Sequence, residues 1–110
     1  MPSGYKNNIS KEGIQYYHSI LDELEKHNIV PLVTLYHWDH PQILERLGGW
    51  TNEIMADLFA DYAEVVFREF GHRIKYISTI NEPYIFCKLG YKDAIFAPSK
   101  VIETKYHDWN

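Results

Sequence analysis

Two short stretches hold the residue types that could do chemistry. The first is Asn81-Glu82-Pro83, directly after the apolar run Ile74 to Ile80. A carboxyl group set at the end of a buried strand can give a proton to a leaving atom and take one back. The amide of Asn81 can hydrogen-bond a hydroxyl. The second stretch is His37-Trp38-Asp39-His40, at the end of the run Val30 to His37. His37 could bind a hydroxyl or a metal, and the flat face of Trp38 could form a wall for a sugar ring. Each residue also has a plainer reading. Glu82 could be a solvated loop carboxylate, Asn81 a turn residue, His37 a structural histidine and Trp38 a core side chain.

The metal reading of the second stretch is the weaker one. His37, Asp39 and His40 match the second half of a His-x-His-x-Asp-His ligand pattern, but Leu35 stands where the first His belongs. Three groups so close in sequence do not close a site by themselves. Pro41 and a short helix after it give Asp39 or His40 a capping role instead. No metal and no cofactor is expected. His18, His27, His72 and His107 fall on polar helix faces or in loops, and no special role is expected of them.

The elements that must position these groups are legible from spacing. Ile14, Tyr17, Leu21 and Leu24, with Ile20 beside them, form one helical stripe. Ser10 suits its N-cap, Glu12 suits its positive end, and Asn28 suits a left-handed stop that lets Ile29 fold back on Leu24. Val30, Leu32, Val33 and Leu35 do not alternate strictly, which predicts a strand covered on both faces. Pro41 opens a short helix that Gly48-Gly49 ends. From Asn52 to Phe70 a long helix is predicted by Met55, Leu58, Phe59, Tyr62, Ala63, Val66, Phe67 and Phe70. Gly71 stops it, and Ile74 to Ile80 is the second strand. Tyr84 to Pro98 reads as an aromatic loop, in which Tyr84, Phe86, Tyr91 and Phe96, like Trp50 earlier, are either core or cleft wall. The tail from Ser99 has no period.

Helix, strand, helix, strand is the order of an α/β protein. An amphipathic helix between two strands makes them parallel neighbours. Both strand ends then reach one rim, so His37-Trp38 and Asn81-Glu82 are expected side by side, where α/β folds bind ligands. Two parallel strands with unpaired edges do not complete a sheet. A slice of a larger sheet or barrel is therefore expected.

Composition narrows the function classes. The chain has 110 residues, 45% hydrophobic and 24% charged, with a net charge of −4 and no cluster of Lys or Arg. That balance gives no reason to expect a nucleic-acid partner. No apolar stretch approaches the roughly 20 residues of a membrane span. Cys87 is alone, so no internal disulfide is possible. Asn8-Ile9-Ser10 fits the N-glycosylation pattern, whose use requires a secretory route. A secreted or lumenal place is compatible with it, although no signal peptide is visible, and the compartment stays open.

Taken in order, several motifs resemble glycoside hydrolase family 1. They are Glu12-Gly13-Ile14-x-Tyr16-Tyr17, Pro31-Leu32-Val33-Thr34-Leu35-Tyr36-His37-Trp38-Asp39-x-Pro41 and Gly48-Gly49-Trp50. Phe70-Gly71-x-Arg73-Ile74, Thr79-Ile80-Asn81-Glu82-Pro83, Gly90-Tyr91 and Ala97-Pro98 follow. The resemblance implies a partial (β/α)8 barrel, a slice around strands 3 and 4. Residues 1–110 would be a fragment of one barrel domain, about a quarter of the barrel. It implies a β-glycoside as substrate and β-glucosidase-like hydrolysis. Glu82 would be the general acid/base of a retaining enzyme. Asn81 would bind the sugar 2-hydroxyl and His37 another hydroxyl, with Trp38 in the same subsite.

The chain departs from the family at several places. His40 stands where an apolar residue or Thr is usual. Ala94 and Ser99 replace glycines common in the loop after the acid/base. Glu82 itself sets the chain apart from plant thioglucosidases, which carry Gln there, and places it by resemblance with the O-glycosidases. The nucleophile of the family, a Glu in a Thr-Glu-Asn-Gly-type segment, has no match in these residues. Retaining chemistry needs two carboxyl groups about 5 Å apart. These 110 residues alone are therefore expected to be inactive, a fragment, an incomplete gene model or a truncated product. The alternative is a short product that binds sugar weakly without cleaving it.

Overall fold

The computed structural model describes residues 1–101. It divides into two units, one from Met1 to Ile80 and one that begins at Asn81. The element order is α1, β1, α2, a 3-10 turn, α3, β2 and α4.

In the first unit, α1 spans Lys11–Lys26. Ser10 caps it, its hydroxyl oxygen accepting from the Gly13 N–H at 3.0 Å. The same hydroxyl donates to Glu12 at 3.1 Å. Asn28 ends the helix with φ 54. Its N–H donates to the Glu25 carbonyl at 3.0 Å, and the Ile29 N–H to the Leu24 carbonyl at 2.9 Å. Those paired bonds satisfy two carbonyls that a bare helix end would leave open, as the left-handed stop predicts.

β1 spans Leu32–Tyr36 and β2 spans Tyr76–Ile80. They pair in parallel, with Leu32 opposite Tyr76, Thr34 opposite Ser78 and Tyr36 opposite Ile80. Both are shorter than the apolar runs predicted, losing residues at either end of the first and at the start of the second. Coverage is also one-ended. Leu35 and Tyr36 are buried, while Leu32 is 71% exposed. The expectation of a strand covered on both faces therefore fails at its start, because among the described residues each strand pairs only with the other.

After β1, Pro41 precedes the short α2, Gln42–Arg46. Gly48 at φ 118 and Gly49 at φ 56 then turn the chain into the 3-10 turn Gly49–Thr51. Only residues tolerant of positive φ hold such a pair of turns without strain. The long helix α3 spans Ile54–Phe70. Leu44, Met55 and Leu58 form a buried cluster with Trp50 packed against it. Burying side chains of this size is worth about 1.5–3 kcal/mol each. An open cavity of about 740 Å³ remains between α1, β1 and α3, lined by Ile14, Leu21, Leu35, Leu58 and Val65 among others.

One contact was not legible beforehand. Arg73 donates to Asp22 at 2.7 Å, to Glu25 at 3.3 Å, and meets the His18 ring at 3.2 Å. It ties the turn after α3 back to α1. His18, expected to have no role, also packs on Phe70 with ring centroids 4.8 Å apart. His107 lies outside the described residues.

In the second unit the predicted aromatic loop is corrected. Its first part is a helix, α4, spanning Pro83–Tyr91. Pro83 occupies the first turn, where its missing N–H costs nothing. Phe86 and Tyr91 are buried, whereas Tyr84 is 70% exposed and Phe96 also faces outward. The chain then returns. The N–H groups of Ile95 and Phe96 both donate to the Leu89 carbonyl, at 2.8 and 3.0 Å. A Cβ at Gly90 would stand 3.0 Å from the Ala97 carbonyl oxygen, a tight contact that glycine avoids at this close return. Ala94 and Ser99 both adopt left-handed backbone, with φ 54 and 57.

Candidate active site

The parallel register decides where the candidate residues leave the sheet. Tyr36 pairs with Ile80. The next residues along each strand are His37 and Asn81. The two strands thus release their candidate stretches from matched positions.

On the first unit, His37 is exposed and Trp38 half-buried. Their rings meet edge to face, with centroids 5.5 Å apart. Trp38 has φ 72. A bulky L-residue in that region is a genuine outlier and costs of order 1–3 kcal/mol. The connection turns sharply there instead of running on in the direction of β1. Asp39 is exposed. Its charge helps hold the Tyr62 hydroxyl protonated to higher pH, behind burial as the main cause and the Tyr17 phenol as the second.

His40 faces inward. Its Nε2 lies 2.8 Å from the Glu45 carboxylate and its Nδ1 3.2 Å from the Tyr36 hydroxyl. Both ring nitrogens are thus engaged within the protein. Among the described residues no group of three or more His, Cys, Asp or Glu is arranged to hold a metal ion.

On the second unit, Asn81 is half-buried and Glu82 exposed. Glu82 sits at the N-cap of α4 with φ 42 and ψ 61, again left-handed. Its carbonyl accepts from the Ile85 and Phe86 N–H groups at 3.0 and 3.2 Å. Its side chain makes no capping bond. The backbone of Glu82 starts the helix while its carboxylate stays available for other work.

Both strand exits therefore use one device, a candidate side chain on left-handed backbone. The fold is that of an α/β protein with an amide and a carboxyl side chain at a strand end. The sequence model of glycosyl hydrolase family 1 matches residues 1–108, and the chain belongs to that family of TIM-barrel glycosidases. It is 49% identical over 106 residues to Myrosinase 1 of Brevicoryne brassicae, covering 96% of this chain and 23% of that protein. It is 43% identical over 98 residues to the cytosolic beta-glucosidase of Cavia porcellus, covering 89% of this chain and 21% of that enzyme. The solved beta-glucosidase from Thermotoga maritima in complex with deoxynojirimycin superposes with a TM-score of 0.88 at 39% identity. That superposition covers 92% of this chain and 23% of the other. The chain thus spans about a quarter of the length of these relatives.

Proposed function

We propose that these residues are the acid/base portion of a retaining β-glycosidase that hydrolyses O-glycosidic bonds of β-glucosides or related sugars. They correspond to strands 3 and 4 of the (β/α)8 barrel and belong to a single barrel domain. Glu82 protonates the leaving oxygen and then, as carboxylate, takes a proton from water. Asn81 hydrogen-bonds the sugar 2-hydroxyl, a bond that strengthens as the oxocarbenium-like transition state forms. His37 holds another hydroxyl, and Trp38 forms the wall of the same subsite. The observation that carries this reading is the uncommitted Glu82 carboxylate at the exit of β2 in a chain of this family. The sugar-like inhibitor bound by the Thermotoga enzyme supports a carbohydrate ligand.

The second carboxyl group that retention needs has no match in these 110 residues. Purified residues 1–110 should therefore leave an aryl β-glucoside intact, and measurable turnover would overturn that part of the reading. In a complete barrel containing this chain, Glu82→Gln should slow glycosides with poor leaving groups far more than activated ones. Equal loss on both would remove the acid role from Glu82.

The identity to a myrosinase favours a second reading, cleavage of S-glycosides. A thiolate leaves with little help from an acid. Matched O-aryl and S-aryl glucosides separate the two. Strong preference for the S-glycoside, unaffected by Glu82→Gln, would select the second reading.

A further inference from the structure

A left-handed tryptophan persists only where its surroundings over-determine it. The connection 37–41 is short, and His37 and Asp39 on either side of Trp38 are exposed. At the far end of this connection one residue is drawn inward. It is His40, whose side chain is 12% exposed beside a Glu45 side chain 11% exposed.

Its ring spans from the last residue of β1 to Glu45, the last residue but one of α2. Nδ1 faces the Tyr36 hydroxyl at 3.2 Å and Nε2 faces Glu45 Oε2 at 2.8 Å. A carboxylate only accepts, so the ring proton belongs on Nε2. Nδ1 then presents a lone pair, and the Tyr36 hydroxyl donates to it. One tautomer thus satisfies both ends. Tyr36 is itself fixed, packed edge to face on Trp50 with centroids 5.3 Å apart.

We propose that His40 is a positioning residue: it clamps the connection between β1 and α2 shut and thereby fixes the left-handed Trp38 and the orientation of His37. That the clamped residues form a sugar subsite rests on the glycosidase reading; the clamp itself does not.

The test is NMR of the full chain with nitrogen-15-labelled histidine, on the wild type, Tyr36→Phe, Glu45→Gln and His40→Leu. The wild type should show His40 protonated at Nε2 and hydrogen-bonded at Nδ1. The Trp38 amide should show the single coupling of a left-handed residue. Tyr36→Phe removes one hydroxyl and should speed exchange of the Nε2 proton roughly tenfold, as loss of one buried hydrogen bond implies. It should also average the Trp38 coupling. His40→Leu should do the same more fully, and Glu45→Gln, whose amide oxygen still accepts, should restore most of the wild-type signal. The left-handed Asn28 reports whether the fold survives. If His40→Leu loses the Asn28 signal, Tyr36→Phe decides. Free-imidazole signals for His40 in the wild type, or an unchanged Trp38 in Tyr36→Phe with Asn28 intact, overturn the proposal. Titration with an aryl β-glucoside, in a complete barrel containing this chain, separates the two readings. A Trp38 that loosens with the clamp but ignores the glycoside keeps the clamp and removes the sugar.

Discussion

Replacing Ala94 by glycine should make this chain more stable, against the usual direction of such a change. Ala94 holds φ 54 between Asp93 and Ile95, where the chain turns back after α4. A Cβ in left-handed backbone costs about 1–2 kcal/mol. Glycine removes that cost but loses about 0.4–1 kcal/mol through the greater freedom of the unfolded chain. The balance is a gain of about 0.5 kcal/mol. Ala60 supplies the internal control, since it is exposed in the interior of α3. There the same substitution should cost about 1 kcal/mol. The two Ala→Gly changes should therefore differ in sign and be separated by about 1.5 kcal/mol. Ala94→Val, with a branched Cβ, should fall below the wild type. Urea unfolding followed by circular dichroism reads the global change. Hydrogen exchange at Ile95 and Phe96, whose N–H groups bond to Leu89, reads the local one. If Ala94→Gly destabilises as much as Ala60→Gly, the residue is not left-handed in solution and the reasoning fails.

Arg73→Met should remove the tie between α1 and the turn after α3 while keeping most of the apolar stem. Arg73 is only 18% exposed, but Asp22 and Glu25 are 56% and 81% exposed, so solvent screens both partners. A loss of about 1–2 kcal/mol in urea unfolding is expected, shrinking in high salt as the wild type weakens toward the variant. No salt dependence would mean that the bond to His18 and packing, not charge, hold the tie. At alkaline pH, Tyr62 should set a second trend. Burial raises its pKa above the ordinary 10.0, with Tyr17 and Asp39 adding to the shift. Above the unfolded value the unfolded chain has lost this proton while the folded chain keeps it. Its contribution is thus whole below about pH 10 and is lost as pH rises through the folded pKa. Tyr62→Phe should flatten that decline in unfolding curves, and an identical decline in the variant would remove Tyr62 as its source.

Features set by neighbours in sequence were legible, and features set across the fold were not. The cap at Ser10 and the stop at Asn28 depend on a few adjacent residues, and their geometry follows the residue types. The parallel pairing was legible because a helix long enough to cross over stands between the runs. Helix α4 was missed because Tyr84 to Phe86 and Leu89 to Tyr91 are aromatic or apolar with no polar face to set a period. Pro83 at its first turn was the signal that could have found it. The chain lengths of β1 and β2 were overestimated since apolar runs record burial, and pairing stops earlier than apolarity does. At the site, the order of candidates along the chain was readable, but the inward turn of His40 onto Tyr36 and Glu45 was not. Those three residues lie four and five positions apart across a turn, where no helical or strand period applies. The left-handed backbone at Ala94 and Ser99 had no signal in their residue types, since neither alanine nor serine favours positive φ.

The left-handed conformations of Trp38 and Glu82 set a trap for anyone who engineers this protein for robustness. Screens that reward melting temperature alone will find positions 38 and 82 early, because glycine or asparagine there relaxes the backbone at once. On the proposed reading, each such success discards an aromatic wall or a proton carrier. On that reading stability and function compete for the same two residues, so a useful screen has to score ligand recognition in the same round.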